Sequence, residues 1–263
     1  MWCFELLSSI IFGYELVTFL APNSLDSLQI LFCGSVIGFI FQSWIIFFLS
    51  YFIGLTPFCG ILSIVIISYF IYKLHQKNKQ RITFKFYLSD IQIWAYVFFG
   101  FIYFLFIFAS QFYNYQKSKG AGFSDLPFQL SIIQSFAVGC NNKRDSMFRI
   151  WTAFYSSTPL SYPFIPNFHA AFLISTGLTS VRYALLIPSI FIVFSFLMGL
   201  YSYVFYFTKS HLASFLSLLI FTNLGGLGWT HVFDPKHRND PRRDWIHDWG
   251  NGQSEYWFHP IMH

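Results

Sequence analysis

Charge is what this sequence has least of. Charged residues make up 10% of its 263 residues, whereas a soluble globular domain carries about a quarter. No charged side chain occurs in the stretches 27–72, 91–116 and 183–208. Each stretch is long enough to cross about 30 Å of hydrocarbon as a helix. The scarcity excludes an ordinary soluble domain and predicts an integral, multi-pass α-helical membrane protein.

Metal-ligand cysteine spacing and a basic leader are also missing. None of the four cysteines has such a spacing, so they are interpreted as small apolar side chains within helices. They are Cys3, Cys33, Cys59 and Cys140. The segment 1–20 carries Glu5 and Glu15 but no basic cluster, which argues against a signal peptide and favours a first helix.

Apolar runs predict six membrane-spanning helices. They lie at about 2–20, 28–54, 57–74, 92–114, 183–208 and 210–228. Gly54 and Pro57 divide the longest charge-free run into a hairpin. The basic connector 76–91 is placed in the cytoplasm by the positive-inside rule, which makes 115–181 and 229–263 external loops. The net charge of +5 is small and local, so it indicates orientation rather than nucleic-acid binding.

Two amphipathic helices are predicted inside the external loop 115–181. The first begins at Ser124 or Asp125, has Pro127 in its first turn and ends at Gly139. The second runs from about residue 166 to 177 and is expected to lie on the membrane surface. The alternative is that 163–178 crosses the membrane, which would move the last loop to the cytoplasm. The fold class is therefore all-α: a polytopic transmembrane bundle with two membrane-parallel helices in a long external loop.

Polar side chains near these helices are the first candidates for chemistry. Asp125 either caps the first helix or serves as a catalytic or metal-binding carboxylate, because a helix N-terminus favours negative charge. In the segment SYPFIPNFHA, the side chains of Tyr162, Asn167 and His169 either face a polar cavity or pack at the membrane interface.

Residues 231–263 are the third polar region. Arg242 and Arg243 suit a phosphate or pyrophosphate, since guanidinium groups match those oxygens. His247 and Asp248 are candidate ligands of a divalent metal, although their spacing follows no recognised ligand pattern. Alternatively, these charges pair with one another on a solvated loop. The sequence stops at HPIMH without a closing span, which indicates a C-terminally truncated chain.

Four features follow one another along the chain. A membrane span comes first, and an external GAGFSDLPF stretch then opens one helix. SYPFIPNFHA opens a second helix, and NLGGLGW ends the last span. This pattern resembles GT-C-type membrane glycosyltransferases over about residues 92–263. The division is then N-terminal transmembrane helices (1–75), the connector (76–91) and a GT-C-like core (92–263). The resemblance implies a polyprenyl-phosphate sugar donor and Asp125 as catalytic base or metal ligand. The substrate-binding residues that it implies, together with the polar segment above, are Tyr162, Asn167, His169, Arg182, Arg242 and Arg243.

The expected function is transfer of a sugar from a lipid-linked donor at the external or luminal membrane face. A divalent cation is the expected cofactor, held by Asp125, His247 and Asp248. Membrane lipid, and missing C-terminal spans or a partner subunit, are the expected partners. Two alternatives stay open. One is a transporter, in which the intramembrane acids Glu5 and Glu15 would matter most; the other is an inactive subunit with the same fold.

Overall fold

The structure is a computed structural model that describes residues 1–21, 27–77, 90–111 and 125–222. Within these ranges the chain is helical and contains no β-strand, which confirms the all-α prediction for this part of the chain. Eight helices follow one another: α1 Trp2–Leu20, α2 Ser27–Ile53, α3 Pro57–Lys77, α4 Asp90–Gln111, α5 Asp125–Ala137, α6 Ile165–Ser175, α7 Val181–Thr208 and α8 His211–Thr222.

Four of these helices, α1, α2, α3 and α7, are long and apolar enough to cross a membrane. By length and composition, they agree with a multi-pass membrane protein. The predicted spans 92–114 and 210–228 coincide with α4 and α8. In those two helices the described apolar parts are shorter, Ile91–Ile102 and His211–Phe221, and the predicted spans continue outside the described residues.

The predicted hairpin between α2 and α3 is present. Helix α2 ends at Ile53, and Gly54 adopts a φ of 72°, a conformation that glycine tolerates without steric cost. Pro57 is the first residue of α3, where the missing N–H of proline does no harm.

Glycines bring α1 and α2 into direct backbone contact. A Cβ added to Gly13 would lie 1.8 Å from the carbonyl oxygen of Gly34, and one added to Gly38 would lie 1.9 Å from that of Ser9. Close approach through small residues is typical of helix pairs in membranes. The two pairs also fix an antiparallel register, because a step of four residues back along α1 matches four residues forward along α2.

Helices α5 and α6 run parallel to each other. Gln129 bonds to Asn167 near their beginnings, and the Ser175 hydroxyl donates to the Ala137 carbonyl at their ends, over 2.8 Å. Both pairs share the same sequence offset, as a parallel arrangement requires. Aromatic rings of α2, α5 and the α6 region pack between them at centroid distances of 5.2–5.7 Å. These are Phe47, Phe136, Phe164 and Phe168.

The chain divides into two compact units. The first contains α1–α3, α5, α6, α4 from Gly100 and α7 up to Phe196. The second contains α4 up to Phe99, α7 from Leu197 and α8. In the second unit the rings of Tyr96 and Tyr201 meet edge to face, and the Tyr201 hydroxyl lies 2.9 Å from Nδ1 of His211. The residues of the two polar sites described below, around Gln129 and around Glu5, belong to the first unit.

Candidate functional site

A chain of polar side chains joins the beginnings of α5 and α6. Asn167 Nδ2 donates to Gln129 Oε1 over 2.6 Å, and Gln129 Nε2 donates to the Tyr162 hydroxyl over 3.0 Å. Asn167 is buried, whereas Tyr162 is 43% exposed. This Gln129 chain, made of Tyr162, Gln129 and Asn167, therefore leads from the interior of the unit to its surface.

The Gln129 chain lies where two helix N-termini meet. Asp125 is the first residue of α5, one turn before Gln129, and Asn167 is in the first turn of α6. Since α5 and α6 are parallel, their backbone dipoles point their positive ends to the same place. The backbone N–H groups of a first helical turn that lack an intrahelical partner favour an anion. Of the predicted site residues, the structure thus brings Asp125, Tyr162 and Asn167 to one end of a helix pair.

His169 lies on the other side of α6 from Asn167. Two residues along a helix correspond to a rotation of about 200°, and the His169 ring faces α2, where it packs on Phe39 at 5.1 Å. Its Nδ1 lies 3.0 Å from the Ser43 hydroxyl, which donates its hydrogen to the Phe39 carbonyl. The hydroxyl lone pair is then free to accept an N–H from Nδ1, so the imidazole fits the neutral form protonated at Nδ1. Burial lowers the pKa of His169 to about 3.

Arg182 lies at the opposite end of α6 from Tyr162. It is the second residue of α7, and the neighbouring Tyr183 ring stacks on Trp2 at 6.2 Å. The length of α6, about 16 Å, separates this position from the Gln129 chain. Arg242, Arg243, His247 and Asp248 lie outside the described residues. Within the described ranges no three His, Cys, Asp or Glu side chains come together as metal ligands, and the metal site stays a prediction.

A second polar site surrounds Glu5. The Glu5 side chain is fully buried, and its Oε1 lies 2.7 Å from the Thr176 hydroxyl. Glycines leave room for both carboxyl oxygens: a Cβ on Gly60 would lie 2.3 Å from Oε1, and one on Gly177 would lie 2.6 Å from Oε2. Glu5 Oε2 has no hydrogen-bond partner among the described residues. Helices α1, α3 and the end of α6 therefore enclose a carboxyl group whose hydrogen bonding is incomplete.

Arg144 is the buried cation of the 138–164 segment. Its guanidinium packs over the Phe47 ring, 3.9 Å from the centroid, and its Nη2 donates to the Phe47 carbonyl. Burial lowers the pKa of Arg144 to about 10, so the group keeps its charge at neutral pH. Its contacts tie the segment between α5 and α6 to α2, which makes Arg144 a structural residue of the unit.

Sequence reasoning missed several residues that take part in these two sites. Gln129 follows Asp125 by four residues, and this helical spacing was the available signal that both belong to one face. Ser43, Gln42 and Thr176 carried no signal, because a single polar residue in an apolar helix looks the same whether it faces lipid or a buried acid.

The chain matches no protein-family model, no curated protein and no solved structure. The resemblance to GT-C glycosyltransferases rests on the motifs alone and stays a hypothesis about function.

Proposed function

We propose that this chain is a membrane glycosyltransferase that moves a sugar from a polyprenyl-phosphate-type donor to an acceptor at the external or luminal membrane face. The observation that carries the proposal is that Asp125, Tyr162 and Asn167 lie at the same end of the α5–α6 pair, where both helices begin. These residues belong to the two motifs on which the resemblance depends. Two parallel helix N-termini are a favourable place for the phosphate of the donor.

In the proposed reaction Asp125 removes the proton from the acceptor hydroxyl, as a general base. The acceptor oxygen bonds to the anomeric carbon while the bond from that carbon to the phosphate oxygen breaks, with inversion. The lipid phosphate leaves with the bonding electrons, and the helix N-termini stabilise its charge. Arg242 and Arg243, or a divalent cation held by Asp125, His247 and Asp248, are the further groups that we propose to act on this phosphate. Tyr162 and Asn167 would orient the sugar hydroxyls.

Register supports a membrane-parallel position for α6. Its His169 contacts Ser43 of α2, and its cap residue Thr176 contacts Glu5 of α1. These two partners lie at nearly the same height along the α1–α2 pair. Glu5 is one turn before Ser9 in α1, and Gln42, next to Ser43, is one turn after Gly38 in α2. The Ser9–Gly38 contact therefore places Glu5 level with Gln42. From His169 to Thr176 the helix advances about 10 Å, close to the distance between two packed helix axes. Helix α6, and α5 with it, would therefore run across α1 and α2 and along the membrane surface.

A hydrogen bond supports placing this helix pair on the side opposite the basic connector. The backbone N–H of Leu55, in the turn between α2 and α3, donates to the Asn142 carbonyl over 3.3 Å. Asn142 follows α5 directly, so α5 and α6 lie near the beginning of α3. The connector follows Lys77, at the other end of α3. If the connector is cytoplasmic, the Gln129 chain faces the external or luminal side.

An assay of the purified full chain in lipid vesicles with a polyprenyl-phosphate sugar tests the proposal. Asp125→Asn should abolish sugar transfer, because an amide cannot accept the proton. Asp145→Asn is the matched control, since Asp145 is an exposed acid of the neighbouring segment and should leave transfer unchanged. Equal turnover of Asp125→Asn and the unsubstituted protein would refute the role of Asp125. If folded protein consumed no donor under any of these conditions, the transfer reaction itself would be rejected.

Asn167→Leu tests whether the Gln129 chain orients substrate. The change removes the bond to Gln129 Oε1 and should raise KM or lower kcat about tenfold or more, equivalent to about 1.4 kcal/mol, while Asp125 stays in place. Ser175→Ala, which removes one bond at the other end of the same two helices, is the control and should leave kcat/KM within about twofold.

Transport is the second candidate, and the burial of Glu5 and Glu15 favours it, because acids at membrane depth commonly mark ion or substrate pathways. Glu5 is fully buried and Glu15 is 4% exposed. Flux of a solute or proton through sealed vesicles containing the protein, with no donor turnover, would support transport over transfer. If neither activity occurs, the chain is the inactive subunit of the same fold.

A further inference from the structure

The Thr176 hydroxyl has one hydrogen but two short oxygen contacts. Its Oγ1 lies 2.6 Å from the carbonyl oxygen of Phe172 and 2.7 Å from Oε1 of Glu5. A hydroxyl donates once and accepts through its lone pairs, so the two contacts need two hydrogens. The bond back to the carbonyl four residues earlier is the usual one for a helical threonine. With the threonine hydrogen on that carbonyl, the hydrogen of the second contact comes from the carboxyl group of Glu5.

Glu5 also lacks a side-chain cation to balance a negative charge. Between described side chains, the structure shows an acid–base contact of Glu15 with His75 and none of Glu5 with a side-chain cation. The titratable groups within electrostatic reach of Glu5 are the amino group of Met1 and the thiol of Cys59 on α3. Neither forms a hydrogen bond with the carboxyl group in the described contacts. A buried carboxylate without a paired cation is costly, and protonation is the ordinary way to avoid that cost.

Gln42 is an independent indication that a proton can leave and return at this site. It lies one turn after Gly38 on the side of α2 that meets α1, level with Glu5. Its side chain is fully buried, and neither its Oε1 nor its Nε2 has a hydrogen-bond partner among the described residues. Buried amides are rarely left without any partner. A donor and an acceptor without partners, at the level of a buried carboxyl group, suit a site with two protonation states.

We propose that Glu5 and Thr176, with Gln42 at the same level of α2, form a buried proton-binding site, occupied in this structure by a proton on Glu5. In the occupied state the carboxyl O–H donates to Thr176 Oγ1, whose own hydrogen points to the Phe172 carbonyl. Release transfers the carboxyl proton to water at the membrane surface. The Thr176 hydrogen then turns to the Glu5 carboxylate, and Gln42 Nε2 becomes its second donor. The proposal does not depend on the glycosyl-transfer reaction.

Glycines hold the carboxyl group in the site. Gly60 and Gly177 contact its two oxygens from opposite elements, α3 and the turn after α6. Because any side chain at either position would displace the carboxyl group, the packing fixes it against Thr176 and shields it from bulk water. The turn after α6 is also bonded to the beginning of α1, where Trp2 N donates to the Gly177 carbonyl over 3.2 Å.

Infrared spectroscopy of the purified full chain in lipid nanodiscs, recorded at neutral pH and after a step to alkaline pH, tests the site directly. The unsubstituted protein should show the C=O stretch of a protonated carboxylic acid at neutral pH and lose it at alkaline pH. Glu5→Gln should lack this band, because its amide keeps the shape and the donor to Thr176 without the acid. Glu15→Gln, which changes the other buried acid of α1, is the matched control and should retain the band.

Absence of the band from the unsubstituted protein at neutral pH would overturn the proposal, as would a band that Glu5→Gln retains. Thr176→Val keeps the side-chain shape and removes the hydroxyl, so the band should shift to the higher frequency of a carboxyl group without a hydrogen bond. An unshifted band in Thr176→Val would also overturn the assignment, and this measurement remains decisive if Glu5→Gln does not fold. Donor turnover is not part of either readout, so failure of the transferase proposal leaves this result unaffected.

Discussion

Glu5 and Glu15 are two buried acids of the same helix, and they meet opposite surroundings. Glu5 is enclosed by glycines and by the Thr176 hydroxyl. Glu15, toward the other end of α1, lies 3.2 Å from Nδ1 of His75, whose side chain is 67% exposed. One acid is enclosed by glycines and a hydroxyl group, and the other contacts a solvent-exposed imidazole.

The comparison teaches that burial alone does not decide the charge of an acid in a membrane helix. The partner decides it. A neutral hydroxyl that already donates elsewhere favours the protonated acid, whereas an exposed imidazole allows an ion pair. The helix register determines which partner each acid meets, because Glu5 lies beside the end of α6 and Glu15 lies beside the end of α3.

The largest expected effect on this comparison comes from filling the space around Glu5. A Cβ at Gly177 would lie 2.6 Å from the Leu173 carbonyl oxygen and 2.6 Å from the Trp2 Cβ, so the backbone itself must move. Gly177→Ala should lower the free energy of unfolding by about 1–3 kcal/mol, measured by thermal or denaturant unfolding in detergent.

Gly199→Ala is the control for that substitution. Among the described residues, no atom outside the adjacent backbone of α7 lies within 4 Å of a Cβ added at Gly199. Alanine is also the better helix former by about 1 kcal/mol. This variant should be as stable as the unsubstituted protein or more so. If Gly177→Ala were as stable as the unsubstituted protein, the Glu5 site would have room for a further methyl group. The tight enclosure of Glu5 would then be refuted.

His169 sharpens the comparison, because it is a second sealed titratable group. Burial holds its pKa at about 3, against 6.5 for a free histidine. Below pH 6.5 the imidazole binds a proton in the unfolded chain but not in the folded chain. The free energy of unfolding therefore falls as the pH decreases from about 6.5 to about 3. In His169→Leu this part of the loss should disappear. Unfolding midpoints at pH 7 and pH 5 measure it, and parallel pH dependence of both proteins would contradict the prediction.

Local pattern predicted the helices of this protein well. The first span was predicted at 2–20, the break at Gly54 and Pro57, and the two loop helices near Asp125 and residue 166; all four correspond to observed boundaries. These features depend on hydrophobic runs, glycine and proline, which act over a few residues. For the same reason Asp125 could be identified as the start of a helix from sequence.

The contacts that build the two sites were beyond such reasoning. Thr176 and Glu5 are 171 positions apart, and nothing local signals that they meet. Helix α6 was predicted to keep a polar face at the membrane surface, yet residues 167–173 are all buried, because α1, α2 and α5 cover its sides. His169 was predicted either to line the substrate site or to pack against a neighbour, and the structure shows its side chain facing Ser43. Periodicity places a residue on a face, and only packing decides what that face meets.

The smallest expected effect comes from the exposed partner of Glu15. His75→Gln removes an ion pair whose imidazole is mostly in solvent, and such pairs contribute about 0–1 kcal/mol. The unfolding midpoint should therefore change little. Added salt should remove what difference there is, because exposed charge pairs are screened. A loss above about 2 kcal/mol that persists in high salt would mean that the position of Glu15 in the helix bundle depends on its contact with His75. Both acids would then depend on a partner, to different degrees. The proton on Glu5 would be the one remaining difference between the two ends of α1.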